Sequence, residues 1–199
     1  MSLYMSININ EHGYWDGEFA VGHHAYDHSL SNAIVDFLKK ENVKNVADLG
    51  CGLAHYVSNF IENGIHANGF DGNPQTPELT NGLASVLDLA IPFRFETPYE
   101  WIISVEVGEH LPSHYEDIYI QNLHNNNEKG IIMSWALEGQ GGLGHFNERS
   151  NEYIKSKIMA LGYTNDVDAE TVLREASSLW WFKNTLMVFR KIVFNVEDV

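Results

Sequence analysis

Glu106-Val107-Gly108-Glu109-His110 places two carboxylates and an imidazole in one short run, a set that can move a proton or hold a cation. If the chain turns helically there, positions i, i+3 and i+4 share a face and aim at a common point. Two carboxylates held that close need a proton or a cation between them. His145, at the end of Glu138-Gly139-Gln140-Gly141-Gly142-Leu143-Gly144-His145, would bring a second imidazole over the same pocket. A site of two Glu and two His suits Mn, Fe, Co or Zn at least as well as Mg. Two readings follow. A divalent metal sits on Glu106, Glu109, His110 and His145, or Glu109, His110 and His145 serve as acid and base or simply as a hydrogen-bonded turn.

A second group of residues suits a ligand of another kind. In Val46-Ala47-Asp48-Leu49-Gly50-Cys51-Gly52-Leu53-Ala54, an apolar strand passes into a helix through an acidic turn punctuated by glycine. Gly50 and Gly52 have no Cβ to hold a ligand away and accept backbone angles closed to other residues. A dinucleotide turn would read G-x-G-x-x-G and spare the pyrophosphate. Here an acid precedes the first Gly and Ala54 stands near the place of the last, so a phosphate-free, cationic cofactor fits better. Two further acids, Asp71 and Asp88, close the next two apolar stretches.

These residues need a frame that gathers them. Ala33, Ile34, Phe37 and Leu38 recur at helical spacing, and strand and helix patterns alternate after them: strand Asn45 to Leu49, helix near Ala54 to Glu62, strand Ile65 to Phe70. A short crossover with Pro74 and Pro77 leaves no room for a full helix and leads to a strand at Ser85 to Leu87. Then come strand Trp101 to Val105, a helix near Tyr115 to Leu123, strand Gly130 to Ala136, a helix near Asn151 to Leu161, a polar stretch and a last strand, Leu186 to Phe194. Ser113 and Glu116 read as a capping box for the helix at Tyr115. Such alternation predicts an α/β fold, a parallel sheet with helices on both faces. Ligands then sit beyond the carboxyl ends of the strands, where Asp48, Asp71, Asp88, Glu106 and the loop after residue 137 share one rim.

The D-x-G-x-G turn, with Asp71, Asp88 and Glu106 following in order, resembles class I S-adenosylmethionine-dependent methyltransferases. The resemblance implies a Rossmann-like, doubly wound, mostly parallel seven-stranded sheet whose last strand runs antiparallel at the edge. It also implies S-adenosyl-L-methionine as cofactor, with Asp48, Gly50 and Gly52 at its amino-acid end, Asp71 on the ribose and Asp88 on the adenine. The E-x-x-E-H spacing is similar to that of ubiquinone-pathway O-methyltransferases and of enzymes that methylate the 2′-hydroxyl at the 3′ end of small RNAs. In the latter, residues matching Glu106, Glu109 and His110 hold a divalent metal with a later His. The preferred expectation is O-methylation of a small-molecule hydroxyl. An RNA-end methyltransferase, a nicotinamide-dependent oxidoreductase and a non-catalytic S-adenosylmethionine-binding module are the alternatives.

Composition narrows the partners. The chain has 199 residues, enough for one α/β domain, and Lys+Arg 12 against Asp+Glu 27 gives a net charge of −15, which repels phosphate backbones and disfavours nucleic acid. One cysteine, Cys51, forms no internal disulfide, and neither a signal peptide nor an apolar run of membrane-spanning length is visible, so a cytoplasmic protein is expected. Residues 1–28, rich in Gly, His and aromatics, read as an N-terminal arm or lid, and 29–199 as the catalytic domain. His12, His23, His24 and His28 are assigned to polar packing within the lid, with substrate contact as the alternative. Trp180-Trp181-Phe182 is assigned to the core beside the last strand, with stacking on a flat substrate as the alternative, and Cys51 to a structural role.

Overall fold

The computed structural model describes residues 9–15 and 17–192; the side chains of 18–20 lie outside that description, as do the expected lid residue Phe19 and the end of the last strand at 193–194. Seven strands form one sheet in the order β3-β2-β1-β4-β5-β7-β6. β1 (Asn45–Leu49), β2 (His66–Asp71), β3 (Ala84–Val86), β4 (Tyr99–Ser104) and β5 (Asn127–Met133) run parallel. β7 (Met187–Lys191) runs antiparallel to β5 and to β6 (Tyr163–Asn165). Strand order reverses between β1 and β4, which opens a crevice at their carboxyl ends.

Alternation along the central strands explains both layers. Val46, Trp101, Ile103, Ile132 and Val188 point to one face, under α1 (His28–Lys40), α2 (His55–Glu62) and α6 (Val167–Ala176). Ala47, Leu49, Ile102, Ile131 and Met133 point to the other, under α4 (Glu116–Asn125) and α5 (Asn151–Ala160). A strand buried on both faces must be apolar throughout, and β1 is after its half-buried first residue, Asn45, except at Asp48. A buried carboxylate in the central strand costs stability unless something at the crevice compensates.

Two expectations are corrected. The last strand is antiparallel but does not lie at the edge: β6 does, supplied by the stretch that reads as merely polar and acidic. Only three residues long, β6 gives a weak pattern, yet Tyr163 is buried and the Asn165 side chain donates to the Val188 carbonyl at 3.0 Å. α6 also falls in that stretch. The capping box does not form, because Ser113–Tyr115 makes a separate 3-10 turn and α4 begins at Glu116, whose carboxylate turns instead to Lys157, Tyr153, Arg149 and Asn147. In the proline crossover the chain makes a single helical turn, α3 (Thr76–Leu79).

The start of α1 rests on Asp27, a favoured N-cap residue whose second, long-range role no local pattern shows. Asp27 caps the helix by accepting from the Leu30 amide at 3.0 Å, and it also accepts from the amides of Ser178 and Leu179 at 2.7 and 2.8 Å. One buried carboxylate therefore ties the N-terminal segment to the chain just before Trp180.

Candidate active site

The turn after β1 is shaped by β2. Gly50 and Cys51 donate their amides to the Phe70 carbonyl at 2.8 and 3.0 Å, which holds Gly50 at φ +85° and Gly52 at φ +53°. The Gly52 amide donates to Asp71 Oδ2 at 2.9 Å, and the Asn73 amide to Asp71 Oδ1 at 3.0 Å. Asp48 is 1% exposed and its Oδ2 has no hydrogen-bond partner. Burial, reinforced by the nearby charge of Asp71, pushes its carboxyl up to about 8. Asp88 accepts from the Ala90 amide at 2.9 Å and meets His12 Nδ1 through Oδ2 at 2.5 Å.

All three acids line one cavity of about 420 Å³ at the crevice, together with Gly50, Glu106, His110 and His145. That volume falls in the range of small-molecule sites. Gly52 is not part of the wall. It is roofed by the His24 ring, which a Cβ there would meet at 2.7 Å.

The second group converges differently from the helical face read in the sequence. Glu106 takes φ +54°, which breaks the turn; only Gly108–His110 is helical, as a short 3-10 segment. Glu106 donates its amide to Ser134 Oγ and accepts from that hydroxyl through Oε1, at 2.8 and 2.7 Å. Its carboxyl group still touches that of Glu109. The residues whose ligand atoms lie within 4.8 Å of one another are Glu109, His110 and His145, and Glu106 falls outside that group.

Each member of the group is fitted to bind. Glu109 is 0% exposed, neither carboxylate oxygen has a hydrogen-bond donor, and burial followed by the charge of Glu106 pushes it well above the usual carboxylate range. His110 is pushed down to about 4 by burial and then by His145, and it donates Nδ1–H to the Gly144 carbonyl at 3.1 Å. His145 contacts Glu148 through Nδ1 at 3.1 Å. Two imidazoles with anchored Nδ1 atoms, beside a buried carboxyl group, form a donor set of the kind that binds Zn, Mn, Fe or Co.

The N-terminal segment builds a third wall. His12 and His23 line the cavity, as does His24, and Trp15 packs on His24 and His110 with ring centroids 5.1 and 5.2 Å apart. Tyr14 covers Gly72, where a Cβ would come within 2.6 Å of the ring. Of the four histidines assigned to packing, His28 alone is off the wall, against Tyr26. Trp180, Trp181 and Phe182 also line the cavity; Phe182 is buried in the core as well, whereas Trp180 is 60% exposed. The sequence assigned these aromatics to the core beside the last strand, because no local pattern shows that Asp27 reaches Ser178 and Leu179 and holds the segment at the crevice. Cys51 is buried, and burial pushes its thiol well up, which matches a structural role.

The strand order, the crevice at β1 and β4 and the acid at the end of each neighbouring strand define the fold of class I S-adenosylmethionine-dependent methyltransferases. The structure of magnesium protoporphyrin IX methyltransferase from Synechocystis, with bound S-adenosylhomocysteine, superposes with a TM-score of 0.63 at 14% identity, over 81% of this chain and 82% of that one. The methyltransferase domain of bacterial CtHen1-C gives 0.57 at 19% identity, over 82% and 97%. CalS10, an amino pentose methyltransferase from Micromonospora echinaspora, gives 0.63 at 10% identity, over 83% and 91%. No protein-family model and no curated protein sequence matches the chain.

Proposed function

We propose that this protein is an S-adenosylmethionine-dependent methyltransferase acting on a hydroxyl of a small, unphosphorylated molecule, with a divalent metal on Glu109, His110 and His145. The observation that carries the cofactor is Asp48. A buried carboxyl with an orphaned oxygen, lifted to about 8, lines a cavity that Asp71 and Asp88 also line. An ammonium group there would restore its charge and fill its vacant lone pair. The fold and the free backbone at Gly50 fit the same ligand.

S-adenosylmethionine supplies a methyl group on a sulfonium, transferred in line to a nucleophile. The chain's own work is alignment, exclusion of water and removal of the acceptor's proton. Asp71 faces the ribose position and Asp88 the adenine. Asp48 holds the amino-acid end, Glu106 sits on the rim between cofactor and acceptor, and the segment through His12, Trp15 and His24 acts as the lid. A metal on Glu109, His110 and His145 would lower the pKa of a hydroxyl bound to it. Where no metal sits on those rings, Nε2 of His145 or His110 is the atom placed to accept the proton as the oxygen–carbon bond forms, since an Nε2 bound to a metal has no lone pair to offer.

Charge favours the small molecule over the alternatives. All twelve Lys and Arg lie within the described residues, and none lines the cavity. Arg149, Lys157, Lys155, Arg174, Lys129 and Arg190 are committed to internal carboxylates. Neither an RNA backbone nor the pyrophosphate of a nicotinamide cofactor finds a lysine or arginine there. Among the described residues no helix is long and apolar enough to cross a membrane.

The test is calorimetry of S-adenosylhomocysteine binding at pH 7 in buffers of different ionisation heats. Asp48 is protonated in the free protein, so binding an ammonium should release close to one proton. Asp48→Asn should abolish the release. Failure to bind, or binding without release in the unaltered protein, would remove the assignment.

A further inference from the structure

We propose that Glu148 is the positioning residue of the site: it folds the glycine-rich loop into one shape and fixes the tautomer of His145. The inference rests on the reading of His145 as a site residue given above, but it concerns a residue with no motif of its own.

Three of the loop's glycines, Gly139, Gly141 and Gly144, have φ of +81°, +70° and +75°. Gly144 packs against Ile9 and its carbonyl accepts from His110 Nδ1 at 3.1 Å, whereas at Gly139 and Gly141 an added Cβ would meet nothing within 4 Å, so packing does not decide the loop's shape there. A single carboxylate does. Glu148 Oε2 accepts from the Gly139 amide at 2.7 Å, and Oε1 accepts from the Gly141 amide at 2.7 Å and from His145 Nδ1 at 3.1 Å. Its side chain is 18% exposed, while the two amide donors lie at the surface. Beyond the loop, the amides of Phe146 and Asn147 donate to the Glu109 carbonyl at 2.8 and 3.0 Å, which fixes the exit relative to the site. Among the described side chains, Glu148 bonds both to the loop's glycines and to its histidine.

The chemistry follows from which nitrogen holds the proton. A carboxylate can only accept, so His145 must present Nδ1–H to Glu148, which leaves the Nε2 lone pair for a metal or an acceptor's proton. Without Glu148 the imidazole is free to take the other tautomer, and the loop loses three bonds that no other side chain replaces.

The experiment uses the full chain. Nitrogen-15 NMR of histidine-labelled protein should show His145 as a single Nδ1–H tautomer, and E148A should mix or invert it. Mn²⁺ titration should show a fall in affinity of about 10- to 100-fold in E148A, with S-adenosylhomocysteine affinity kept within about two-fold. E148Q, which retains one accepting oxygen, should fall between the two and covers the case in which E148A fails to fold. In a double-mutant cycle, E148A should cost nothing further in an H145A background, because it acts through that ring. An unchanged tautomer, an unchanged Mn²⁺ affinity, or losses that add to those of H145A would overturn the proposal. An unaltered protein that binds no Mn²⁺ would end the metal reading, and the tautomer measurement would then decide the role of Glu148 by itself.

Discussion

The turn at Gly50-Cys51-Gly52 and the loop from Gly139 to Gly144 use the same backbone trick in opposite ways. Both hold glycines at positive φ beside the cavity. The turn is fixed by its neighbours in the sheet: two amides reach the Phe70 carbonyl, and the register of β1 against β2 sets where that carbonyl lies. The loop is held by side chains, Glu148 just beyond it, His110 on the Gly144 carbonyl and Glu116 through Asn147 and Arg149 at its exit. A turn made by a sheet is as rigid as the sheet. A loop made by two carboxylates is as firm as their charges, and a site assembled by such a loop can be loosened without unfolding the rest.

The largest effect that would break the comparison lies in the turn. An added Cβ at Gly50 would stand 2.4 Å from Val107 Cγ2, in a backbone conformation that side chains resist. Left-handed strain and overpacking together make Gly50→Ala cost about 2 to 5 kcal/mol, read as a lower urea midpoint with little change in slope. Since Val107 precedes the 3-10 turn of Glu109 and His110, the same change should weaken both cofactor and metal binding. A loss of either alone would show that the turn and the site are less tightly joined than their packing indicates.

What was legible in the sequence divides along the same line. β1, β2, β4 and β5 announce themselves as apolar runs, and Asp48, Asp71 and Asp88 stand near their ends or that of β3 because a doubly wound sheet has one ligand rim. Glu109, His110 and His145 were legible as donors, although the face that joins them is not helical, since Glu106 enters the left-handed region. Legibility stops where a contact spans long stretches of chain and uses polar atoms. Asp27 reaches Ser178 and Leu179, His12 reaches Asp88, and Glu116 spends on Lys157 and Arg149 the carboxylate that the motif assigned to a cap. No periodicity encodes such pairs, and β6, at three residues, is too short to show one.

Glu116 gives the middle-sized effect and tests the electrostatic side of the comparison. Burial alone would raise its carboxyl, but donors from Lys157, Tyr153, Arg149 and Asn147 outweigh it and hold the group at about 2, below its ordinary 4.5. With the folded value depressed, the stabilisation is complete above pH 4.5 and is lost as pH falls from there toward 2. Arg149 and Lys157 are 30% and 27% exposed, so screening trims the contribution to about 1 to 2 kcal/mol. Glu116→Gln should flatten the acid limb of a stability-against-pH curve in that window. An unchanged limb would mean that the exit of the loop is held by its backbone after all.

The smallest effect sharpens the contrast most. Gly139 shares the positive φ of Gly50, yet nothing lies within 4 Å of an added Cβ, and its one anchor, the bond from its amide to Glu148, survives the change. Gly139→Ala should therefore cost only the backbone term, about 1 kcal/mol, and leave S-adenosylhomocysteine binding untouched. The loop then relaxes around a strained residue, because its shape is dictated from Glu148 and not from packing. A loss as large as that at Gly50 would show that the loop is as tightly determined as the turn, and the distinction between a site built by a sheet and one built by a carboxylate would fall.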